Sequence, residues 1–424
     1  TGESSGFLEN TSIQRQNIEN VTFVDNIPSN VYDKTTGEYK NQTAWDVSEQ
    51  QDKSILAWYE TSNSKGALKV YIGSDDEIFG NYDSSYLFAY IGYSDKCTAT
   101  ETITNINLLN TSNVTNMEKM FYRTGYIAMT KLELGDNFNT SNVTDMNSMF
   151  YRTGFTAMTS LDLGKNFDTN NVTNMQMMFN WTGANAIISL DLGDKFDTSN
   201  VTNMESMFGI MSSVEKINLG EKFDTSNVTD MRMMFQGCNS LIELDLGNKF
   251  DTSNVTDMNS MFSVCNSLIK LELGDKFDTS NVTSMGEMFL GTGRESMTNL
   301  DLGDKFDTSN VTDMYQMFYR TGSTAMTKID LGPAFKHIPD GDVNQYNGTT
   351  YKAYKDIFLN TGKPGSLIIQ APEAIYQDST HIKLSTDSET TIELTTGTIN
   401  PKYKTEWIKE GTTIDTSKAD NPKI

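Results

Sequence analysis

Acidic side chains recur in this sequence at one fixed position of a short apolar pattern. The middle residue of apolar-x-Leu-Gly is an acid or its amide in eight places: Glu133, Asp162, Asp191, Asn218, Asp245, Glu272, Asp301 and Asp330. In a parallel sheet these side chains would form one exposed row with a spacing of about 4.8 Å. Because like charges at that spacing repel, the row is either a binding surface for a basic partner or for cations, or a solvated strand face that prevents aggregation.

A second set of candidate binding residues lies in longer links that follow a Met-Phe pair. These links contain Tyr-Arg-Thr-Gly three times and Trp-Thr-Gly once, which gives the residues Tyr122, Arg123, Tyr151, Arg152, Trp181, Tyr319 and Arg320. Tyr, Arg and Trp are over-represented at binding hot spots, and surface loops often carry function. The alternative is that the rings pack over neighbouring turns of the chain.

The sequence gives little support for catalysis or for a cofactor. The two histidines, His337 and His381, lie far apart and have no metal-ligand spacing. No phosphate-binding loop and no nucleophile elbow occurs, so we expect no enzyme. A further acidic column is best explained by hydrogen bonds to turn backbone, with calcium as the alternative, although no EF-hand pattern is present. Its members are Asp168, Asp197, Asp224, Asp251, Asp278 and Asp307.

Composition narrows the class of protein. The chain has 424 residues, with 56 acidic against 33 basic side chains and a net charge of −23. Nucleic acids and anionic membranes select basic surfaces, so neither is an expected partner. No apolar run reaches the ~18 residues that span a bilayer. No signal peptide or wall-sorting tail is visible, which we interpret as a mature or trimmed fragment.

Three cysteines exclude a disulfide-rich scaffold. Cys238 and Cys265 lie 27 residues apart at equivalent positions, so they are expected to stack about one strand spacing apart. They form either a disulfide or buried free thiols, and the sequence favours the thiols.

A unit that recurs eight times must position these side chains. Its N-V-T triplets are separated by 29 or 27 residues and begin at Asn113, Asn142, Asn171, Asn200, Asn227, Asn254, Asn281 and Asn310. Such a period is typical of a solenoid. Val143, Met146, Met149 and Phe150 would share one face of a short helix with Asn142 as its N-cap. The L-x-x-L-x-L-G half predicts a short strand that ends at glycine.

The predicted fold is therefore an α/β repeat solenoid, with one short parallel strand and one short helix in each 27–29-residue repeat. We divide the chain into a polar lead-in (1–44), a β-hairpin and capping region (45–106), the eight-repeat solenoid (107–332), a C-terminal cap (333–371) and a β-rich segment (372–424). Trp407 before Lys-Glu-Gly resembles the strand and turn of a bacterial immunoglobulin-like module. The segment is short for a complete sandwich of about 100 residues.

The repeat itself, LDLG-x-KFDTSNVTDM-xx-MF, resembles that of the BspA-like leucine-rich-repeat surface proteins of Gram-positive bacteria, mycoplasmas and some protozoa. The resemblance covers roughly residues 45–358 and extends to the stretches AWDVSEQQDKSILAWYE, KVYIG and DSSYLF. It implies a secreted adhesin at the cell surface or cell wall that binds a protein or glycan of the host matrix, of a host cell or of another microbial cell. The alternative is a structural stalk that projects another domain.

Overall fold

The computed structural model describes residues 6–8, 11–344, 349–364, 366–377, 381–384, 391–393 and 406–409. Its first part is a β-rich cap. Three short 3-10 helices occur at Gly6–Leu8, Arg15–Asn17 and Ile106–Leu108. The strands are β1 (Ile18–Val24), β2 (Tyr32–Asp33), β3 (Glu38–Tyr39), β4 (Trp45–Asp46), β5 (Ile55–Thr61), β6 (Leu68–Ser74), β7 (Ile78–Phe79), β8 (Ile103–Thr104) and β9 (Leu109–Asn110).

Five of these strands form one sheet in the order β4-β5-β6-β1-β8. Strands β5 and β6 pair antiparallel, so they form a hairpin within the region 45–106, where one was predicted. Strand β1 lies parallel to both β6 and β8, and its Ile18, Val21 and Phe23 are buried. The polar lead-in assigned to residues 1–44 therefore contains a buried strand, which the sequence analysis did not predict.

The array follows as a series of coils, each with one three-residue strand. These strands are β10 (Lys131–Glu133), β11 (Ser160–Asp162), β12 (Ser189–Asp191), β13 (Lys216–Asn218), β14 (Glu243–Asp245), β15 (Lys270–Glu272), β16 (Asn299–Asp301) and β17 (Lys328–Asp330). They pair in parallel and in register as β10 with β11, β12 with β13, β14 with β15 and β16 with β17. Tandem repeats with parallel strands, as predicted, therefore build a solenoid-like fold.

The predicted helix in each repeat is wrong, and the described residues contain no α-helix. In the coil that starts at Asn113, the N–H groups of Met117, Lys119, Phe121 and Arg123 donate to carbonyls of the next coil at 2.8–3.0 Å. The N–H groups between them mostly donate three residues back within their own coil. An α-helix would need donation four residues back along the same segment. The segment is a chain of tight turns, and the α/β description is replaced by strands and turns.

Left-handed residues make this alternation possible. Lys119 and Arg123 have φ of 55° and 57°, and the equivalent positions of the later coils are left-handed as well. Val143, Met146, Met149 and Phe150 are completely buried. Their offsets of three, six and seven residues suit one side of this chain of turns as well as one face of a helix, which is why the pattern predicted the wrong element.

Two stacks of phenylalanine rings fill the core. The Phe of each Met-Phe pair stacks on its equivalent in the next coil, with ring centroids 5.1–5.9 Å apart from Phe88 to Phe358. The Phe after each glycine turn forms a parallel stack from Phe138 to Phe335, at 6.2–6.5 Å. Each coil therefore buries its rings against its neighbours.

The cysteines belong to this core. Cys238 and Cys265 are buried free thiols, as the sequence favours, and Cys97 is also free and buried. The two thiols donate to the carbonyls of Phe208 and Phe235, each at 3.2 Å. Burial raises the pKa of Cys238 to about 12, so its thiol stays protonated.

The C-terminal part continues the sheet. Strand β18 (Asp342–Asn344) pairs antiparallel with β19 (Thr350–Lys352), and β20 (Ile368–Ala371) adds to β17 in parallel. Strand β21 (His381–Lys383) pairs with β22 (Thr391–Glu393), and β23 (Glu406–Lys409) adds in parallel to β20. The turn after Trp407 and most of the predicted immunoglobulin-like segment lie outside the described residues. No helix in the described ranges has the length and apolar character needed to cross a bilayer.

The left-handed turns predict opposite effects for two substitutions. Val264 has φ of 62° at the position where another coil carries Gly237. We expect Val264→Gly to raise the free energy of unfolding by ~1 kcal/mol, because a β-branched residue is strained there, and Gly237→Ala to lower it by a similar amount. In a helix, glycine at either position would instead be the destabilising residue. Urea unfolding of both variants measures the signs, and a less stable Val264→Gly contradicts the turn geometry.

Candidate functional site

The acidic row on the strands is exposed, but the structure divides it. Seven of its residues are exposed and Asp330 is half-buried. They lie opposite each other in register as Glu133/Asp162, Asp191/Asn218, Asp245/Glu272 and Asp301/Asp330, with no ladder joining one pair to the next in the described sheet. The predicted row is therefore present as four pairs.

Most members of the row have a structural task. The side-chain oxygens of Asp162, Asp191, Asn218, Asp245, Asp301 and Asp330 accept the N–H of the glycine two residues later, at 2.9–3.2 Å. The Lys270 ammonium lies 2.6 Å from Glu272 and this contact raises the pKa of the lysine. These local bonds therefore explain why acidic residues or asparagine occur at most positions of the row, and the case for the row as a recognition surface is weaker.

The second acidic column closes turns as well. The carboxylates of Asp168, Asp197, Asp224, Asp251, Asp278 and Asp307 each accept the N–H two residues later, at 2.8–3.1 Å. This is the turn role expected from the sequence. Among the described residues, no group of three or more His, Cys, Asp or Glu side chains is placed to hold a metal ion.

The Tyr-Arg links come together in the first coils and form what we call the aromatic–arginine strip. The strip combines five predicted residues with two others from their coils and two from the turn before them: Tyr90, Tyr93, Tyr122, Arg123, Tyr126, Tyr151, Arg152, Phe155 and Trp181. All nine side chains are half-buried. The repeat therefore places half-buried aromatic side chains of four consecutive coils side by side.

The rings of the strip stack from coil to coil. Tyr122 and Tyr151 are 4.9 Å apart and nearly parallel, and so are Tyr126 and Phe155 at 4.8 Å. Trp181 continues the second row at 5.6 Å from Phe155. The stacked faces of these rings agree with the packing alternative. The half-buried rings also lie side by side along the coils, so their exposed parts form one surface.

Two arginines lie within this surface. The Arg123 guanidinium lies 5.4 Å from the ring centroid of Tyr122, and that of Arg152 lies 4.8 Å from Trp181. Such cation–π contacts fix the planar head group without neutralising it. Burial of Arg123 opposes its charge, but Tyr122, Tyr93 and Tyr90 outweigh that effect and its pKa lies above the usual value. The strip therefore carries two fixed positive charges.

These charges have no carboxylate partner in the described structure. Neither Arg123 nor Arg152 forms an ion pair there, and the Nε of each is buried without a hydrogen-bond acceptor. Arg232, by contrast, lies within 4.0 Å of Glu205, Asp230 and Asp257. Stretches 120–132, 146–161 and 175–190 contain no Asp or Glu. The strip is thus a locally cationic surface on a chain of net charge −23.

A buried Thr-Gly pair holds each link in place. The hydroxyls of Thr124, Thr153 and Thr182 donate to phenylalanine carbonyls of the preceding coil at 2.6–2.7 Å. The following glycine is left-handed, and a Cβ on Gly154 would lie only 2.3 Å from the Cβ of Met158. The two residues before each Thr-Gly pair are therefore fixed at the surface.

The predicted pair Tyr319 and Arg320 lies apart from the strip. Arg320 lies 5.0 Å from the ring of its own neighbour Tyr319, and no aromatic ring of an adjacent coil stacks on this pair in the described structure. Sequence reasoning missed Tyr90, Tyr93, Tyr126 and Phe155. The aromatic residue directly after Gly125 and Gly154 was the signal that could have found two of them.

Carboxylates also line the turn side of the coils, where burial changes their ionisation. Parallel bridges join Asn116, Asp145, Asn174, Asn203, Asp230, Asp257, Ser284 and Asp313 in one column. Burial raises the pKa of Asp145, Asp257 and Asp313. A buried carboxyl group is easier to hold in its neutral form, so this column costs stability when it is ionised.

Comparison with known proteins identifies a related family. The family model described as "Mycoplasma protein of unknown function, DUF285" matches residues 93–187, 153–265, 184–294 and 242–331. These four overlapping matches cover residues 93–331 without a gap, which is more than half of the chain. Neither the comparison with curated proteins nor that with solved structures gave a match.

Because the pKa of Asp313 is raised, we expect the substitution Asp313→Asn to stabilise the protein, and to do so only at pH values where the aspartate is ionised. Asp313→Asn keeps the oxygen that accepts the N–H of Tyr315 at 2.9 Å but removes the buried charge. A carboxyl whose pKa is raised by folding destabilises the protein above that pKa, and the penalty vanishes as pH falls. We expect the variant to melt ~1–3 °C higher at pH 7.5.

As the pH falls towards 3.8, the ordinary value for Asp, the variant and the parent protein are expected to converge. The exposed residue Asp304 supplies the matched control, Asp304→Asn, which is expected to leave the melting temperature unchanged. A lower melting temperature for Asp313→Asn at pH 7.5 contradicts the assignment of a buried, costly charge.

Proposed function

The chain belongs to the DUF285 family of repeat proteins, and from this premise we propose that it is a secreted, surface-displayed adhesin. In this proposal the array is a BspA-like leucine-rich-repeat solenoid that binds a protein or glycan of a host or of a neighbouring cell. The aromatic–arginine strip is its recognition site. The observation that carries the proposal is the pair Arg123 and Arg152, held between aromatic rings and without a carboxylate partner in the described chain.

The chemistry of the strip favours an anionic group on the partner. A guanidinium presents several N–H donors in one plane and suits carboxylate or sulfate oxygens. The Arg123 guanidinium lies over the rings of Tyr90 and Tyr93, in the coil before it. That of Arg152 lies over Trp181, in the coil after it. The two guanidinium groups therefore offer separate contacts to an extended anionic partner. Half-exposed tyrosine and tryptophan rings add apolar contact at low cost in conformational entropy.

The strand row is the weaker candidate for the same function. Its aspartates close glycine turns, and three lysines of the same strands, Lys131, Lys270 and Lys328, pair with acids of the row. Binding there would compete with bonds that already exist. Exposed surface ion pairs are worth little, about 0–1 kcal/mol, so their loss would not forbid binding, but nothing in the geometry favours it.

A substitution series separates the two surfaces. Arg123→Gln with Arg152→Gln is expected to weaken binding to immobilised matrix proteins, mucin or cells by tenfold or more, since charged and aromatic hot spots dominate such interfaces. The matched control, Arg294→Gln with Arg320→Gln, removes the same charge and is expected to change binding less than about twofold. Surface plasmon resonance gives the affinities, and melting curves confirm that each variant is folded.

A third variant tests the strand row. Changing Asp162, Asp191, Asp245 and Asp301 to Asn keeps the oxygen that closes each turn and removes four charges. We expect its binding to remain. If this variant loses binding and the double arginine variant keeps it, recognition belongs to the strand face and the strip is packing.

A structural stalk is the second candidate function, and the continuous column of bridges from Asp83 to Asp313 favours it. In that case any complete repeat is dispensable. Deleting residues 142–170 removes the repeat with Arg152, and deleting 254–280 removes a repeat that lacks the Tyr-Arg link. An adhesin should lose binding in the first deletion alone. Cells that adhere equally well with either deletion carry a stalk.

A further inference from the structure

A cavity of about 1190 Å³ lies at the start of the array, away from the residues of the strip. It is formed by three parts of the described chain: the segment from Ala44 to Gln51 with the adjoining sheet, the end of β3, and residues 77–88 at the first turn of the array. Small-molecule pockets usually measure ~300–1,000 Å³, so this cavity has room for an extended ligand.

Exposed aromatic side chains surround the cavity. Tyr39, Phe79 and Tyr82 line it, and they remain 39%, 47% and 68% exposed. Only seven large apolar or aromatic side chains in the described residues are this exposed, and three of them are at this one place. Clustered apolar exposure of this kind marks an interaction site rather than chance.

The charge of the lining selects the ligand. Asp46, Glu49, Glu77 and Asp83 line the cavity, and none of the described lining residues is Lys, Arg or His. Glu77 accepts a bond from the amide of Asn110 at 2.7 Å, and Asp83 accepts the N–H of Ser85 at 3.0 Å. These bonds orient the carboxylates but leave their charge, because none of the four acids forms an ion pair in the described structure.

The aromatic rings are suited to cations as well. The Lys53 ammonium already lies 5.1 Å from the ring centroid of Tyr39, within cation–π range. Carboxylates and accessible aromatic faces together favour the side chains of lysine and arginine, which combine a charge with an apolar stem. A row of such side chains along one extended chain would suit a cavity of about 1190 Å³.

We propose that this cavity binds an extended segment of a partner protein that is rich in arginine or lysine. This goes beyond the proposed adhesion site, because the strip is cationic and recognises the opposite charge. The two sites involve different residues and can be inactivated separately.

The experiment measures binding of a fluorescein-labelled peptide of alternating arginine and glycine, eight residues long, to the intact chain by fluorescence polarisation. Glu49→Gln with Glu77→Gln removes two charges and keeps the oxygen that Asn110 contacts. It is expected to weaken binding on the order of tenfold at 0.15 M salt. Tyr82→Ser is expected to weaken it about fivefold through loss of a cation–π face.

The matched control is Glu221→Gln with Glu295→Gln, which removes two exposed charges elsewhere. It should bind as the parent chain does, and so should Arg123→Gln with Arg152→Gln, which separates this site from the strip. Equal weakening by the glutamate control overturns the proposal in favour of general attraction to an acidic chain.

Two further results would overturn it. One is failure of the peptide to bind at micromolar concentrations of the folded chain. The other is binding of a neutral oligosaccharide, tested with cellohexaose, that Tyr82→Ser abolishes and the double glutamine variant does not. That result would assign the cavity to sugars.

Discussion

The fold depends on hydrogen bonds that leave one coil and end on the next. Every second N–H between Met117 and Arg123 donates to the neighbouring coil, and the same holds in the later coils. A coil on its own would leave these donors without acceptors, and buried N–H groups without partners are costly. Stability must therefore come from the interfaces, as in other repeat proteins. The two extra residues of the 29-residue repeats lie in the Thr-Gly links, after the last of the alternating donors, so they do not shift these hydrogen bonds.

Stacking equivalent positions in register also decides which side chains the columns accept. Phenylalanine, threonine and asparagine can occupy the same position in successive coils. The Asn142 side chain donates to the Ser112 carbonyl of the coil before, and the Thr144 hydroxyl donates to that of Thr115. Carboxylates repel when they stack, and the turn-side column mixes aspartate with asparagine and serine. The single adjoining pair in this column, Asp230 and Asp257, has Arg232 within 4.0 Å of both.

The features that follow from the repetition of residue types could be predicted from the sequence. The features that depend on contacts with the neighbouring coil could not. The solenoid, the parallel strands and the turn role of Asp168 follow from the spacing of residue types alone. The helix prediction was wrong because the sequence does not show where the chain is left-handed. Lys119, Ser148 and Met177 occupy one such position in successive coils, where glycine would have indicated a turn. The Tyr-Arg links were found, but the strip also needs Tyr90 and Tyr93, whose position becomes clear only once the coils are stacked.

The spacing of the repeats explains how one chain could combine recognition and reach. The first three steps of the array have 29 residues and carry the Thr-Gly links of the strip, whereas the next three have 27 residues and lack those links. The shorter coils keep the Phe stacks and the column of bridges but present no Tyr-Arg surface. The strip and the aromatic, acidic cavity both lie in the N-terminal half, while the regular coils that follow extend the solenoid. If the proposed function is correct, the first coils bind the partner and the later coils project them from the cell. The choice between adhesin and stalk then depends on which coils a partner contacts.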